Sequence, residues 1–447
     1  MAINTNIELR QKMMYSLFVR NHTPEGTFAA VERDLDRIRA LGTDIIWFMP
    51  IQPTGILNRK GKDGSPYAIK DYRKVDPAMG TMEDFRHLTD EIHRRGMQCI
   101  LDVVYNHTSP DSWLIEKHPD YFKRDSRGNT VTLVPEWSDI ADLDYGKKEL
   151  WQYQIDTLKM WAEMVDGFRC DVAPRVPVEF WRQARREVEK VRPGAIWLAE
   201  STEKHFIKFI RSRGGYCASD SQLYEVFDIC YDYDIWPAFM GYVQKDPRFP
   251  LSLYLDEIEK QEGTYPENYV KLRCLENHDQ ERIAHYVQDR QSLLNWTAFI
   301  FLLKGTAFVY AGQEKMLSHL PSIFQKDTTD FTGGEDISEL IAGCARIKKT
   351  ELAADGVYGS FADDGRDVAY LWCRMGQKCV MGIFSLRGYQ GELPAYMADG
   401  TYENLLTEKT VSVSEGHLVH DGNPIIAKLH TDCFLEKKMR IISENGR

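Results

Sequence analysis

Residues Gly167 to Val176 read GFRCDVAPRV, a short apolar run that ends on an arginine and a carboxylate. Side chains alternate along a strand, so Arg169 and Asp171 point to one face, where the guanidinium is expected to keep the carboxylate ionised. Outward from this segment, β-rich apolar runs alternate with stretches of helical period up to about residue 350. Strands are predicted at Met14 to Val19, Asp44 to Met49, Met97 to Tyr105, Gly167 to Cys170, Ile196 to Ala199, Gln222 to Phe227, Val270 to Leu275 and Thr306 to Tyr310. Helices are predicted at Thr27 to Leu41, Met82 to Arg95, Leu150 to Met164 and Leu293 to Leu303. The pattern is that of an α/β fold, a (β/α)8 TIM barrel. An open doubly wound sheet is the alternative, but no G-x-G-x-x-G or phosphate loop accompanies it.

The third strand and the helix after it are separated by far more residues than a βα loop needs. This excursion holds HPDYFKRDSRGNTV with a turn at Arg127-Gly128-Asn129, which predicts a short β-containing subdomain over the barrel mouth and a relatively open cleft. Beyond Ala354 the runs VAYLWCR, VMGIFSL, TYENLLT and PIIAKLH are separated by Gly, Asp and Asn turns, the grammar of a C-terminal all-β sandwich. The expected division is barrel 1–106, inserted subdomain 107–147, barrel 148–352 and β domain 353–447.

The chain of 447 residues is long enough for one barrel-sized core and a smaller companion, and its 43% hydrophobic and 28% charged composition is that of a globular protein. A net charge of −11 disfavours nucleic acid and anionic membranes as partners. No apolar stretch reaches spanning length, and MAINTNIELRQKMMY lacks the basic and apolar regions of a secretion signal. Nine cysteines without a CxxC pair fit reduced, buried thiols, so a cytoplasmic location is expected. Oligomeric state leaves no mark in the sequence.

Barrel enzymes place their chemistry at the C-terminal ends of strands, which makes Asp102, Asp171, Glu200 and Asp279 candidates. A lone Asp there is more often a turn or cap residue, so the set carries the argument. Glu200 ends the apolar run IWLAE, and a less polar surrounding would keep it protonated as a general acid. One ionised and one protonated carboxyl across a barrel mouth is the arrangement for glycoside hydrolysis with retention. Asp279, beside His278, is placed to stabilise an oxocarbenium-like transition state, and His107 is a candidate hydroxyl donor.

These segments resemble the α-amylase superfamily, glycoside hydrolase family 13. The resemblance rests on DVVYNH at Asp102 to His107, GFRCDVAPRV, WLAE at Trp197 to Glu200 and LENHD at Leu275 to Asp279, four motifs in order, each following a strand. SPYAIKDY at Ser65 to Tyr72 and GTAFVYAGQE at Gly305 to Glu314 extend it. It implies Asp171 as nucleophile, Glu200 as acid/base, Asp279 as transition-state stabiliser, Arg169 as the group positioning Asp171, Asp102 as the acid holding Arg169, His107 and His278 as sugar-binding histidines, and Tyr67 as the ring that stacks on the sugar. The implied reaction is cleavage of α-1,4 bonds of malto-oligosaccharides through a covalent glycosyl-enzyme, without a required cofactor. An α-1,6-glucosidase or glucosyltransferase is the alternative within the family, and a non-catalytic amylase-like binding protein the alternative outside it.

Departures bear on substrate and metal. Pro174-Arg175 stand where many calcium-dependent relatives have Lys-His; Asn106 matches the family's calcium-binding asparagine, and calcium stays unassigned between ligand and structural readings. Gly64 replaces an acid that clamps the terminal sugar in oligo-1,6-glucosidase-like relatives, which argues against strict exo-glucosidase action, whereas Val172 resembles the α-1,6-cleaving branch. IADLDY at Ile140 to Tyr145 is too divergent a fifth motif to fix linkage. YDYDIW at Tyr231 to Trp236 either lines acceptor subsites or is a loop with structural aromatics.

Overall fold

The computed structural model describes residues 4–435, so the start of the N-terminal segment and the end of the 353–447 region lie outside the described residues. Eight parallel strands close a barrel: β1 (Met13–Leu17), β2 (Ile45–Phe48), β3 (Gln98–Val103), β4 (Gly167–Cys170), β5 (Ile196–Ala199), β6 (Ile229–Tyr231), β7 (Val270–Arg273) and β8 (Thr306–Tyr310). Each neighbours the next, and β8 pairs with β1 through Met13↔Ala307 to Ser16↔Tyr310. Nearly every strand residue is buried, as a sheet covered on both faces requires, which is why these segments read as continuous apolar runs.

The covering helix Met82–Arg94 carries one apolar stripe, whereas Arg290–Leu302 is buried on nearly all sides. Met82–Arg94 buries Phe85, Leu88 and Ile92 at helical spacing and begins at a capping box in which Thr81 and Asp84 satisfy each other's backbone N–H groups. Two expectations need correction. The single helix over Thr27 to Leu41 is two, Phe28–Glu32 and Leu35–Ala40. The sixth strand is not Gln222 to Phe227: Asp220–Leu223 is a helix capped by Ser219, and the strand is Ile229–Tyr231. Leu223, Tyr224, Val226 and Phe227 are the buried residues of that segment, and the spacing of three and four among them is helical rather than alternating.

The excursion after β3 forms a ribbon of His107–Thr108 against Ala141–Asp142, and its predicted turn is present, with Arg124 paired to Thr130 around Gly128. The C-terminal region is all β: Val357–Asp363, Val368–Met375, Lys378–Ser385 and Ile425–His430 form one antiparallel sheet, accompanied by two two-stranded ribbons. Along Val368 to Trp372 the side chains alternate between two cores. Ala369 and Leu371 join the barrel's core, while Val368, Tyr370 and Trp372 pack within the β domain. Among the described residues no helix is long and apolar enough to cross a membrane, and no disulfide is formed.

Candidate active site

The site is built around one buried arginine. β3 and β4 lie in register with Asp102 opposite Arg169, so the guanidinium rises from the barrel floor beside the acid. Arg169 Nη1 donates to Asp102 Oδ1 and Oδ2 at 2.9 and 3.1 Å and to Asp171 Oδ1 at 2.8 Å. Its Nη2 stands 3.1 Å from Glu200 Oε2, and its Nε donates to the Tyr231 hydroxyl at 3.1 Å. Three carboxyl groups at three strand ends therefore share one positive charge.

That sharing corrects two electrostatic expectations. Arg169 does not hold Asp171 low: burial and the neighbouring Glu200 charge push the Asp171 carboxyl well above the usual range, with Arg169 opposing them. Burial likewise pushes Asp102 up to about 6 against the pull of Arg169. Nor is Glu200 in an apolar setting, since its Oε2 also accepts the backbone N–H of Val172 at 2.6 Å. Val172 adopts φ +40°, ψ +43°, a left-handed conformation uncommon for a β-branched residue, and this twist presents the N–H to Glu200.

Across the mouth, the Tyr67 hydroxyl lies 2.7 Å from His278 Nε2 and 3.1 Å from Asp102 Oδ2, and the Tyr67 and His278 rings stack at 5.4 Å. His278 Nε2 is 3.0 Å from Asp279 Oδ2. The cleft wall disfavours charge on Asp279, but His278 outweighs it, and the carboxyl sits below its usual range. Asp279 is held from its own loop, where its N–H donates to Asn277 Oδ1 at 2.8 Å and Asn277 donates to the Tyr233 hydroxyl. Asp171, Glu200, Asp279, Arg169, Tyr67 and His278 are thus brought together.

His107 is buried beside them, its ring 5.8 Å from that of Trp137. Burial pushes His107 down to about 4, so the imidazole is neutral near pH 7. Asn106 Nδ2 donates to His107 Nδ1 at 3.0 Å, which leaves the proton on Nε2.

The calcium question turns on the same residues. Asp142, strand partner of His107, gives Oδ2 to Arg175 Nη2 at 2.7 Å and to the Leu133 N–H, with both charged side chains buried. A calcium ion takes six to eight oxygens in a site of net negative charge. Here Asp142 is paired with a guanidinium and Asp139, the other buried acid near His107, with Lys60, so the residues present lack the net negative charge that calcium needs and do not fit it. The aromatic run Tyr231 to Trp236 is also internal: Tyr231, Tyr233 and Trp236 are buried, while Asp232 pairs with Arg273 and Asp234 with Lys271. It braces the floor instead of offering a sugar platform.

Trp137 and Trp47, whose Nε1 is 3.3 Å from Asp102 Oδ2, were not singled out by sequence, and Tyr231 only as part of an aromatic run and not as a partner of Arg169. Trp47 carried a usable signal, a large polar-tipped ring inside the second barrel strand.

Fold and site together define a barrel enzyme with its acids at the C-terminal strand ends. Residues 10–131 and 120–346 match the model of the alpha amylase catalytic domain, and 360–427 that of the bacterial alpha amylase C-terminal domain. The chain belongs to the alpha-amylase family, glycoside hydrolase family 13. It is similar to the crystal structure of an alpha-amylase from Lactobacillus plantarum, with 44% identity and TM-score 0.91 over 95% of this chain and 100% of that one. It is also similar to a noncanonic maltogenic alpha-amylase from Thermotoga neapolitana, with 32% identity and TM-score 0.82 over 95% and 99%. Alpha-amylase MalA of Haloarcula japonica is 27% identical over 77% of this chain, and a maltosyltransferase of Myxococcus xanthus 28% identical over 55%. The chain spans 50% and 37% of the length of these two curated relatives.

Proposed function

We propose that the protein is a retaining α-glycoside hydrolase acting on α-1,4-linked malto-oligosaccharides. Glu200 protonates the departing glycosidic oxygen while Asp171 attacks the anomeric carbon, forming a β-glucosyl ester; Glu200 then takes a proton from water, which cleaves the ester and restores both carboxyls. The observation that carries this reading is Arg169 touching Asp171 and Glu200 at once. A proton on Glu200 removes charge that raises Asp171, so protonation of the acid and ionisation of the nucleophile favour each other. Among the described residues, Glu200 Oε1 makes no protein hydrogen bond, which suits it to the substrate oxygen. Asp279, His278 and His107 hydrogen-bond ring hydroxyls, and Tyr67 stacks on the sugar held at the nucleophile.

The relatives' names, alpha-amylase and maltogenic alpha-amylase, support an α-1,4-glucan substrate. The maltosyltransferase relatives support a second reading, transfer of the glycosyl group to a sugar hydroxyl in place of water. The assembled acids speak against a purely binding role. No cofactor is required in this scheme, and the buried thiols suit a cytoplasmic protein. Chromatography of products from maltotriose, panose and isomaltose tests the function. Cleavage of maltotriose with retention is expected, and activity confined to isomaltose would replace the α-1,4 reading with an α-1,6 one.

A further inference from the structure

The segment after β2 leaves the barrel rim as a strap, its base closed where Thr54 pairs with Ile69, Gly55 N–H donates to Ala68 and Lys70 N–H donates to Pro53. Its returning limb carries Tyr67. The strap is fastened on both sides. Toward the inserted subdomain, Lys60 Nζ lies 3.0 Å from Asp139 Oδ1 and donates to the Glu136 carbonyl at 2.7 Å, while Ile56 N–H donates to Asp111. Toward the loop after β8, the N–H groups of Asp63 and Gly64 donate to the Phe324 carbonyl at 3.0 and 3.1 Å, and Lys326 N–H donates to Asp63 Oδ2 at 2.7 Å. Arg20, on the short helix Val19–His22 after β1, donates to the Gly64 and Ile323 carbonyls, tying both loops to a third segment.

The contacts are close enough to need glycine. A Cβ on Gly61, at φ +66°, would stand 2.5 Å from the Phe324 carbonyl oxygen, and one on Gly55 would stand 2.2 Å from Ser109 Cβ. Loops after β1, β2 and β8 and the subdomain after β3 thus form one continuous rim.

The position of this rim has a chemical meaning. The general acid protonates the oxygen of the leaving sugar, so the leaving chain exits past Glu200 at the end of β5. In the eight-strand order the strap's own strand, β2, stands opposite β6, and the strands of its partner loops, β1 and β8, stand opposite β5 and β4. The strap therefore lies at the other end of the cleft, where the non-reducing end of the donor chain points. Its partners reach over that end from both sides, and Trp137, next to Glu136, stands against His107.

We infer that the strap of residues 54–68, latched by Lys60 to the inserted subdomain and by Asp63 to the loop after β8, limits the donor side to a short non-reducing end and makes cleavage exo-type. This rests on the glycosidase reading above. Gly64 stays consistent with it, because the limit comes from a wall and not from a charged clamp on the terminal sugar.

The test uses p-nitrophenyl maltoheptaoside with a free non-reducing end and the same compound capped there by a 4,6-O-ethylidene group. The wall predicts cleavage of the capped substrate at least about tenfold slower than the free one, and a smaller ratio in the Lys60→Ala/Asp63→Ala variant. Equal rates in the unaltered protein overturn the inference. So does a ratio unchanged in the double variant, with folding verified by its thermal transition; Lys60→Met alone serves if the double variant does not fold. Failure to cleave either substrate removes the glycosidase reading itself, a result distinct from equal cleavage of both.

Discussion

Val172 N–H donates to Glu200 Oε2 at 2.6 Å, which makes the residue after the proposed nucleophile a direct support of the proposed acid. The left-handed turn at Val172 is a conformation that costs a β-branched residue about 1–3 kcal/mol, and it links the two carboxyls through the backbone as well as through Arg169. Glu200 and Asp171 are therefore one mechanical unit.

Replacing either carboxyl should separate chemistry from folding. Asp171→Asn is expected to abolish turnover while leaving the thermal transition in place. Glu200→Gln is expected to lose about 10²–10⁴-fold in kcat and to regain activity on an α-glycosyl fluoride when azide is supplied. Parent-like turnover by Asp171→Asn, or azide without effect on Glu200→Gln, would reassign the roles.

The shared charge predicts a pH effect with a definite sign. Burial and then the Glu200 charge raise Asp171, which must be ionised to act as the proposed nucleophile. Glu200→Gln removes the second contribution, so the acid limb of kcat/KM for a glycosyl fluoride should move to lower pH. A limb that stays in place or moves up contradicts the coupling.

The Arg175–Asp142 pair gives a stability prediction and a metal prediction. Arg175→Met leaves a buried carboxylate unpaired and should cost about 3–5 kcal/mol by urea unfolding, most of which the Arg175→Met/Asp142→Leu double variant should recover. Since the guanidinium occupies the charge balance a calcium ion would need, neither EDTA nor added calcium should move the melting temperature. A rise in melting temperature with calcium would show that the ion has a site after all.

Lys348 supplies a second titration. Its Nζ donates to the Phe301 and Leu303 carbonyls at the end of the helix Arg290–Leu302, and burial pushes the ammonium down to about 7 from an ordinary 10.5. The unfolded chain keeps that proton up to about pH 10.5 while the folded one loses it near 7, so this residue's contribution to stability rises as pH climbs between the two. Unfolding free energies of the parent minus Lys348→Met should therefore shift in the parent's favour from pH 6.5 to 9.5; a difference that is flat or falls would show the amine charged in the fold.

The acids were legible because each stands at or near the end of an apolar run, a local pattern that survives without tertiary information. Their environments were not. IWLAE is apolar along its own strand, yet the groups that surround Glu200 come from the neighbouring strand's end, Arg169 and the Val172 N–H. Tyr231 reads in sequence only as part of an aromatic loop, because the preceding Gln222 to Phe227 reads as the sixth strand, although Leu223, Val226 and Phe227 have helical spacing. Trp137 and Arg175 acquire meaning only through partners dozens of residues away, which no window of sequence contains.

The two-sided sheet of the C-terminal region sets how this protein can be cut. With Ala369, Leu371, Phe384, Leu386 and Ile426 lodged in the same core as the barrel's helices, the region that looks like a detachable module is part of the barrel's wall. Truncation before Val357 would strip that wall and leave a greasy flank open to aggregation, and a graft of another relative's β domain would succeed only if those five side chains were transplanted with it. The barrel and the sheet should accordingly lose amide protection together, as a single cooperative block.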